Sequence, residues 1–480
     1  MSALAGLRVQ ALASRVRRHR WFAAVLALGV ALRLLFTLSY WPAEFDADSH
    51  DYLRTAFTGR LDQIRPSGYG FAMLLVPGWH HLWPVVLAQH LLVLGLAIFV
   101  YVLLVRRGVP RWGAALATAP MLLDPLELVL EQYVLSDVLA AATIALGCFL
   151  VVRRPHPSWQ VCALAGLPLG LAAATRSVAL PLLPVVLLAV LLLARPRKWA
   201  ALALVTSFAM VLGPYVLAFH HQHHRYSTTT YTPYFLYART VMAIDCDTLT
   251  LPDYERPLCP YGQRAADMTT SKAIWATPSL SRSYVPPLGM TQRQVLSDFT
   301  RRAITQQPMT FARVVLRDTA RGFTFGRPIK NDNFFDVEWQ PGMKVGADLR
   351  TKEAKRLLSE GLRLRLWRTG AHVTTWLGRH VWTPGPLLLA CLLTGLAAGA
   401  GLGRGPRVSP DRTAAVFLAL MGLALVVIPA ATASFSWRYQ ISQLMLLPPA
   451  GALGLMALRS RPAPEESTPP DADAEQPVLV

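Results

Sequence analysis

Five residues able to exchange protons or hold charge, Glu44, Asp46, Asp48, His50 and Asp51, fall within eight positions directly after the first apolar run. Carboxylates at a membrane exit are costly unless paired or used. A carboxylate within hydrogen-bond reach of a hydroxyl can take its proton as that oxygen attacks. The blander reading is a solvated acidic loop. Tyr52 follows, and then Arg65-Pro66-Ser67-Gly68-Tyr69-Gly70, a rigid turn leading back towards the membrane. A further carboxylate, Asp137, ends the stretch Tyr133-Val-Leu-Ser-Asp137; a helix-start acid favoured by the macrodipole is its bland alternative. Asp124-Pro125-Leu126-Glu127 is different in kind. Asp, Pro at the first helical position and Glu at the third form a helix N-terminus signature, so Asp124 and Glu127 are assigned to capping.

Three arginines complement these acids. Arg176, in Ala-Thr-Arg-Ser-Val, occupies a tight turn between two apolar runs, and Arg438, in Phe-Ser-Trp-Arg-Tyr, precedes the last run. A guanidinium grips phosphate through a two-pronged fork and keeps its charge near neutral pH. Snorkelling at the membrane surface is the alternative for each. Arg33 lies inside the first run, where an ionised side chain needs a partner; the acidic loop above it and a lipid phosphate are the two candidates. His220, His221, His223 and His224 offer a metal site on paper, but ligands this crowded on one stretch of chain rarely converge, and they read first as interfacial residues. Trp79, His80, His81 and Trp83 fit an aromatic belt. Gln89 and His90 are expected to bond across helices. No GxxxxGK[ST], GxSxG or HExxH pattern occurs, which removes support for nucleotide hydrolysis and the common hydrolase mechanisms.

The elements that must position these residues follow from composition. Of 480 residues, 53% are hydrophobic and only 16% charged, and the mean hydropathy is +0.35, a membrane-protein balance. An apolar helix of about 20 residues crosses the hydrocarbon core. Ten runs qualify or nearly so: 21–40, 85–105, 112–123, 135–152, 159–175, 177–194, 199–219, 386–402, 413–432 and 441–458. The net charge of +19 is concentrated in short tracts such as Arg106–Arg107, Arg153–Arg154 and Arg195–Lys198, as loops facing an anionic cytoplasmic leaflet should be. That pattern explains the charge without nucleic acid. With both termini cytoplasmic in a plasma membrane, every short basic loop falls on one side. Residues 41–84, the Ser136–Asp137 turn and residues 220–384 fall on the other. Arg176 and Arg438 then break the charge rule.

The chain divides into a seven-helix block with the first outer loop (1–219), an outer region (220–384), three further helices (385–458) and an acidic, Pro-rich tail (459–480) expected to be disordered. The outer region reads as helical stretches on the membrane face rather than as a folded domain. Thr291–Gln307 forms one helix, Pro308 starts a basic amphipathic one, and 352–379 is another basic stretch. Cys246 and Cys259 are the two cysteines of this region and can pair outside the cytosol. Cys148, Cys162 and Cys391 sit in apolar runs.

Asp48-Ser-His-Asp-Tyr52 with Arg65-Pro-Ser-Gly-Tyr-Gly70 resembles the first outer loop of the GT-C glycosyltransferases, among them the protein O-mannosyltransferases and the aminoarabinose transferases that modify lipid A. Tyr133–Asp137, Arg176 and Arg438 are similar to further positions of that superfamily. The resemblance implies an all-α GT-C-like fold with about ten transmembrane helices. It also implies transfer of a hexose or pentose from a polyprenyl-phosphate carrier to a glycan, protein or lipid hydroxyl, with inversion. Asp48 matches the catalytic acid best and Asp46 is its rival, with Asp137 as the second acidic position. Arg176, Arg438 and Arg33 would face the donor phosphate, and Tyr52, Arg65 and Tyr69 would form the substrate loop. A divalent cation, Mg or Mn, at Asp46, Asp48 and Asp137 is left open. The competing classes are a lipid-linked glycan transporter or flippase, favoured by inverted repeats and broken mid-membrane helices, and a non-catalytic assembly subunit on the same fold.

Overall fold

The computed structural model describes residues 17–261, 268–276, 278–327, 341–343, 351–403, 406 and 409–459. Its N-terminal half runs α1 (Arg20–Ser39), a two-residue β1 (Tyr40–Trp41), α2 (Ser49–Thr58), α3 (Gly68–Leu74), α4 (Trp83–Arg106), α5 (Arg111–Leu123), α6 (Pro125–Gln132) and α7 (Ser136–Val151). There follow α8 (Trp159–Thr175), a 3-10 turn (Ser177–Leu182), α9 (Leu183–Leu193) and α10 (Arg197–His223). The outer region contributes α11 (Thr232–Val241), α12 (Thr270–Trp275), α13 (Gln292–Gln306), α14 (Pro308–Arg321), α15 (Lys352–Ser359), β2 (Arg365–Leu366) and α16 (Arg368–His380). The chain returns through α17 (Gly385–Gly399), α18 (Pro410–Thr432) and α19 (Gln440–Arg459).

All ten apolar runs are helical. By length and composition, α1, α4, α10, α18 and the segment Trp437–Arg459 are each able to cross a bilayer alone. Two bent pairs, α5 with α6 at 45° and α16 with α17 at 53°, bring the count to seven. The shorter apolar helices α7, α8 and the segment 177–193 supply the other three runs. The bend between α5 and α6 has a local cause. Asp124 is extended, its side chain accepts from the Leu126 amide at 2.9 Å, and Pro125 opens the new helix. Asp124 therefore caps as expected, and it also takes a bidentate grip from Arg327, both bonds at 2.9 Å. Glu127 does not cap. Both its carboxylate oxygens are buried without a hydrogen-bond partner.

The outer region departs from expectation. Rather than separate stretches on a membrane face, α11, α12 and α13 enclose a small core of their own around Tyr237, Leu258, Ile274 and Phe299. Cys246 and Cys259 are bonded, with 5.8 Å between their Cα atoms. The Tyr237 hydroxyl donates to the Leu258 carbonyl at 2.6 Å. Thr291 and Gln294 form a reciprocal capping box that starts α13 where the sequence placed it. The basic amphipathic α14 begins at Pro308 as read, and its Asp318 pairs with Arg239 of α11 at 2.8 Å. Short as they are, β1 and β2 pair antiparallel and tie the exit of α1 to the return segment before α16. The acidic tail lies outside the described residues.

Candidate active site

The first outer loop is fastened to the link between α6 and α7 by backbone pairing. The Glu44 amide donates to the Gln132 carbonyl at 2.9 Å, and the Val134 amide donates to the Glu44 carbonyl at 3.0 Å. The Tyr52 hydroxyl and Ser136 Oγ share a hydrogen bond of 2.6 Å, one residue before Asp137. These links bring two acids 89 positions apart in sequence onto one surface. The turn at 65–70 then docks against the end of α8, and its glycines are required there. A Cβ on Gly68 would meet the Ala174 carbonyl oxygen at 2.5 Å, and one on Gly70 would meet the Tyr52 carbonyl oxygen at 2.7 Å. Arg176 sits at the end of α8, two residues beyond that contact. The loop, α7 and α8 thus meet where the charges are.

Asp48 stands between two arginines. One carboxylate oxygen pairs with Arg65, and the other accepts from Arg438 Nη1 at 3.1 Å. Arg176 Nη1 lies 2.5 Å from Asp137 Oδ1, and Arg438 Nε lies 3.8 Å from the same oxygen. Asp137 Oδ2 has no hydrogen-bond partner. Arg176 and Arg438 both lie over the Tyr439 ring, each guanidinium carbon 5.4 Å from its centroid. Burial raises the pKa of the Asp48 carboxyl, but Arg65, Arg438 and Arg176 outweigh it and hold the group below the ordinary carboxylate range. Asp51, buried beside Asp62, is pushed up to about 6 although Arg65 and Arg54 oppose the shift. Burial pushes Tyr52 up to about 12 and Tyr69 further still, so both are protonated donors at neutral pH.

Asp46 organises the loop. Its Oδ1 accepts from the Asp48 amide at 3.0 Å, fixing the backbone that presents Asp48. Tyr69 donates to Gln89 Oε1 at 3.0 Å, its ring edge-on to Tyr52 at 5.1 Å. Gln89 and His90 do bond across helices, to the Glu131 backbone and side chain respectively. Tyr52, Arg65, Asp137, Arg176 and Arg438 line a cavity of about 430 Å³. Asp48 lies behind Arg65 and Arg438 and does not face it directly. The cavity wall also carries Ile144, Leu425 and Ile428, together with Thr270 and Trp275 of the outer region. Trp275 and Tyr439 were not singled out in the sequence. The Arg-Tyr pair at 438–439 was the available signal for Tyr439; an aromatic in a loop gives none for Trp275.

Arg33 is not brought to this site. Its Nε and Nη2 grip Glu131 at 2.9 and 2.5 Å, and the remaining N–H groups go to the Gly29, Leu122 and Met121 carbonyls. All five donors of the guanidinium are used, so a phosphate role for Arg33 is replaced by a structural one. No three His, Cys, Asp or Glu side chains among the described residues gather closely enough to hold a metal ion. Asp48 and Asp137 direct oxygens to guanidinium groups.

The chain is thus a multi-pass helical membrane protein that gathers acids and arginines in one buried cluster. A family model described as dolichyl-phosphate-mannose-protein mannosyltransferase matches residues 7–249, just over half of the chain, and the chain belongs to that family. Among solved structures, the chain is similar to the archaeal oligosaccharyltransferase AglB from Archaeoglobus fulgidus in complex with an inhibitory peptide and a dolichol-phosphate. Identity is 15% and the TM-score 0.45, over 91% of this chain and 50% of that one. ArnT from Cupriavidus metallidurans, bound to undecaprenyl phosphate, is similar at 14% identity and a TM-score of 0.34, over 90% of this chain and 77% of its own. The chain thus spans half the length of the archaeal protein. No curated protein sequence matches it.

Proposed function

We propose that the chain moves a sugar from a polyprenyl-phosphate carrier to an acceptor hydroxyl on the outer side of the membrane, with inversion. The observation that carries this reading is the cavity in which Arg65, Arg176 and Arg438 stand beside Asp137 and an apolar wall, with Asp48 directly behind them. A lipid-linked sugar phosphate needs both surfaces at once: forks for the phosphate and hydrocarbon contact for the chain.

In the resting arrangement the arginines neutralise the aspartates. An incoming donor phosphate competes for Arg176 and Arg438, and as they turn to it Asp48 loses the charges that keep its proton affinity low. The carboxylate then accepts the proton of the acceptor hydroxyl while that oxygen bonds to the anomeric carbon. The bond from that carbon to the phosphate oxygen breaks, and the carrier phosphate leaves with the electron pair, stabilised by arginines already in position. Asp137, on the cavity wall and paired with Arg176, orients Arg176 and the sugar.

The test is transfer by the purified chain in liposomes, with a radiolabelled polyprenyl-phosphate sugar and a hydroxyl acceptor, with and without Mg, Mn and EDTA. The expected result is labelled acceptor together with free polyprenyl phosphate. Movement of intact donor across the bilayer without bond formation would replace this reading with that of a flippase.

A further inference from the structure

At the far end of α4 from the Asp48 site lies a second cavity, of about 590 Å³, lined by Arg106, Arg107, Arg153, Arg154 and Asp411. Its wall continues along α4 to Phe99 and Val102, one to two helical turns deeper. The tendency of cytoplasmic loops to be basic explains why arginines occur here. It does not explain a pocket. Arg107 has a side chain only 5% exposed, its Nε bonds to nothing, and Nη2 alone reaches Asp411 at 3.2 Å and the Pro410 carbonyl at 3.5 Å. Burial holds the Arg107 pKa below the ordinary arginine value, and Asp411 offsets only part of the shift. Asp411 is itself 36% exposed and is the one acid on the described wall, against four guanidiniums. Arg106, Arg153 and Arg154 pair with no carboxylate among the described residues.

We propose that this cavity binds the phosphate of an anionic phospholipid, with the guanidiniums around the headgroup and an acyl chain along Phe99 and Val102. Clustered basic residues between helices at a membrane surface recognise anionic headgroups, and the apolar flank favours a lipid over a soluble anion. Val102 is 37% exposed on that flank, as a chain-contacting residue must be. The site is separate from the sugar-transfer cavity, and the inference stands whether or not the transfer reading does.

The experiment uses the full-length protein in neutral detergent, with native mass spectrometry and thermal melting. Added phosphatidylglycerol should be retained and should raise the melting temperature, whereas phosphatidylcholine should do neither. The triple variant R106Q/R153Q/R154Q should lose roughly a hundredfold in phosphatidylglycerol affinity, each arginine near an anionic headgroup contributing about fivefold. Asp411→Asn, which removes the competing carboxylate, should tighten retention. Equal stabilisation by the two lipids, full retention in the triple variant, or the same melting shift with inorganic phosphate alone would overturn the lipid assignment.

Discussion

Two of the buried arginine–carboxylate clusters, those around Arg33 and Asp48, are built to opposite ends. Around Arg33, the guanidinium, Glu131 and His90 close on one another. Glu131 receives Nε and Nη2 of Arg33 and sits 2.6 Å from His90 Nδ1, while His90 Nε2 meets Thr37 at 3.0 Å. Every arginine donor there has a partner. Around Asp48, the pairs are shared and incomplete: Arg438 is divided between two aspartates, and Asp137 keeps one oxygen without a bond. A saturated cluster holds helices together, whereas an unsaturated one beside a cavity can trade a partner for a ligand. Both set guanidinium groups against buried carboxylates. What differs is how many donors and acceptors are already used.

The largest test of that contrast is Asp48→Asn. It should lower the transfer rate by about a thousandfold, within the range for loss of a general base, with a smaller fall in melting temperature than Glu131→Gln gives, because Arg65 keeps Asp51 and Arg438 keeps Asp137 as partners. If Asp46→Asn abolishes transfer and Asp48→Asn does not, the base is Asp46 and the loop register is wrong. The second cluster should answer in the other currency of measurement, stability. Glu131→Gln strands a buried guanidinium and should destabilise the protein by about 3–5 kcal/mol, read as a fall in melting temperature, with donor KM unchanged. A raised donor KM in that variant, with stability intact, would erase the distinction between the two clusters.

Smaller effects sharpen it. Arg176→Ala should raise donor KM by about ten- to a hundredfold, the loss of one charged hydrogen bond to phosphate; unchanged donor affinity would remove Arg176 from the phosphate site. The smallest effect concerns pH. The Asp51 carboxyl titrates at 3.8 when unperturbed and at about 6 in the fold. The native state therefore binds the extra proton, and stability falls as pH rises through that window. Asp48 is shifted the other way, so its contribution is complete above its unfolded value and is lost only in stronger acid. Melting curves between about pH 4 and 6 should thus slope downward in the native protein and flatten in Asp51→Asn.

Much of the frame was legible in the residues. Apolar runs of bilayer length became helices because that pattern needs no information beyond itself. Pro308, the start of α13 at Thr291 and the Asp124 cap were readable because capping is settled within four positions. The Cys246–Cys259 bond was readable because these were the two cysteines of the outer region. Glu127 was misread because a capping pattern describes local geometry and is silent on burial. The outer core around Tyr237 and Phe299 was missed because its apolar residues come from three short helices, none periodic enough alone to announce a folded unit.

By itself, the sequence determined the membrane class, the positions of the helices and the kinds of chemical group available in the outer loops. Hydrophobic transfer and local capping act over short stretches of chain, and the residues state them directly. Only the tertiary structure decided which arginine meets which acid. Asp48 and Arg438 are separated by 390 positions and Arg33 and Glu131 by 98, and nothing in either stretch names its partner. The strength of an ion pair depends on distance and on how much water is excluded around it. Both are set by helix packing, which is why Arg33, similar on paper to Arg176, became part of the scaffold and Arg176 part of the cavity wall.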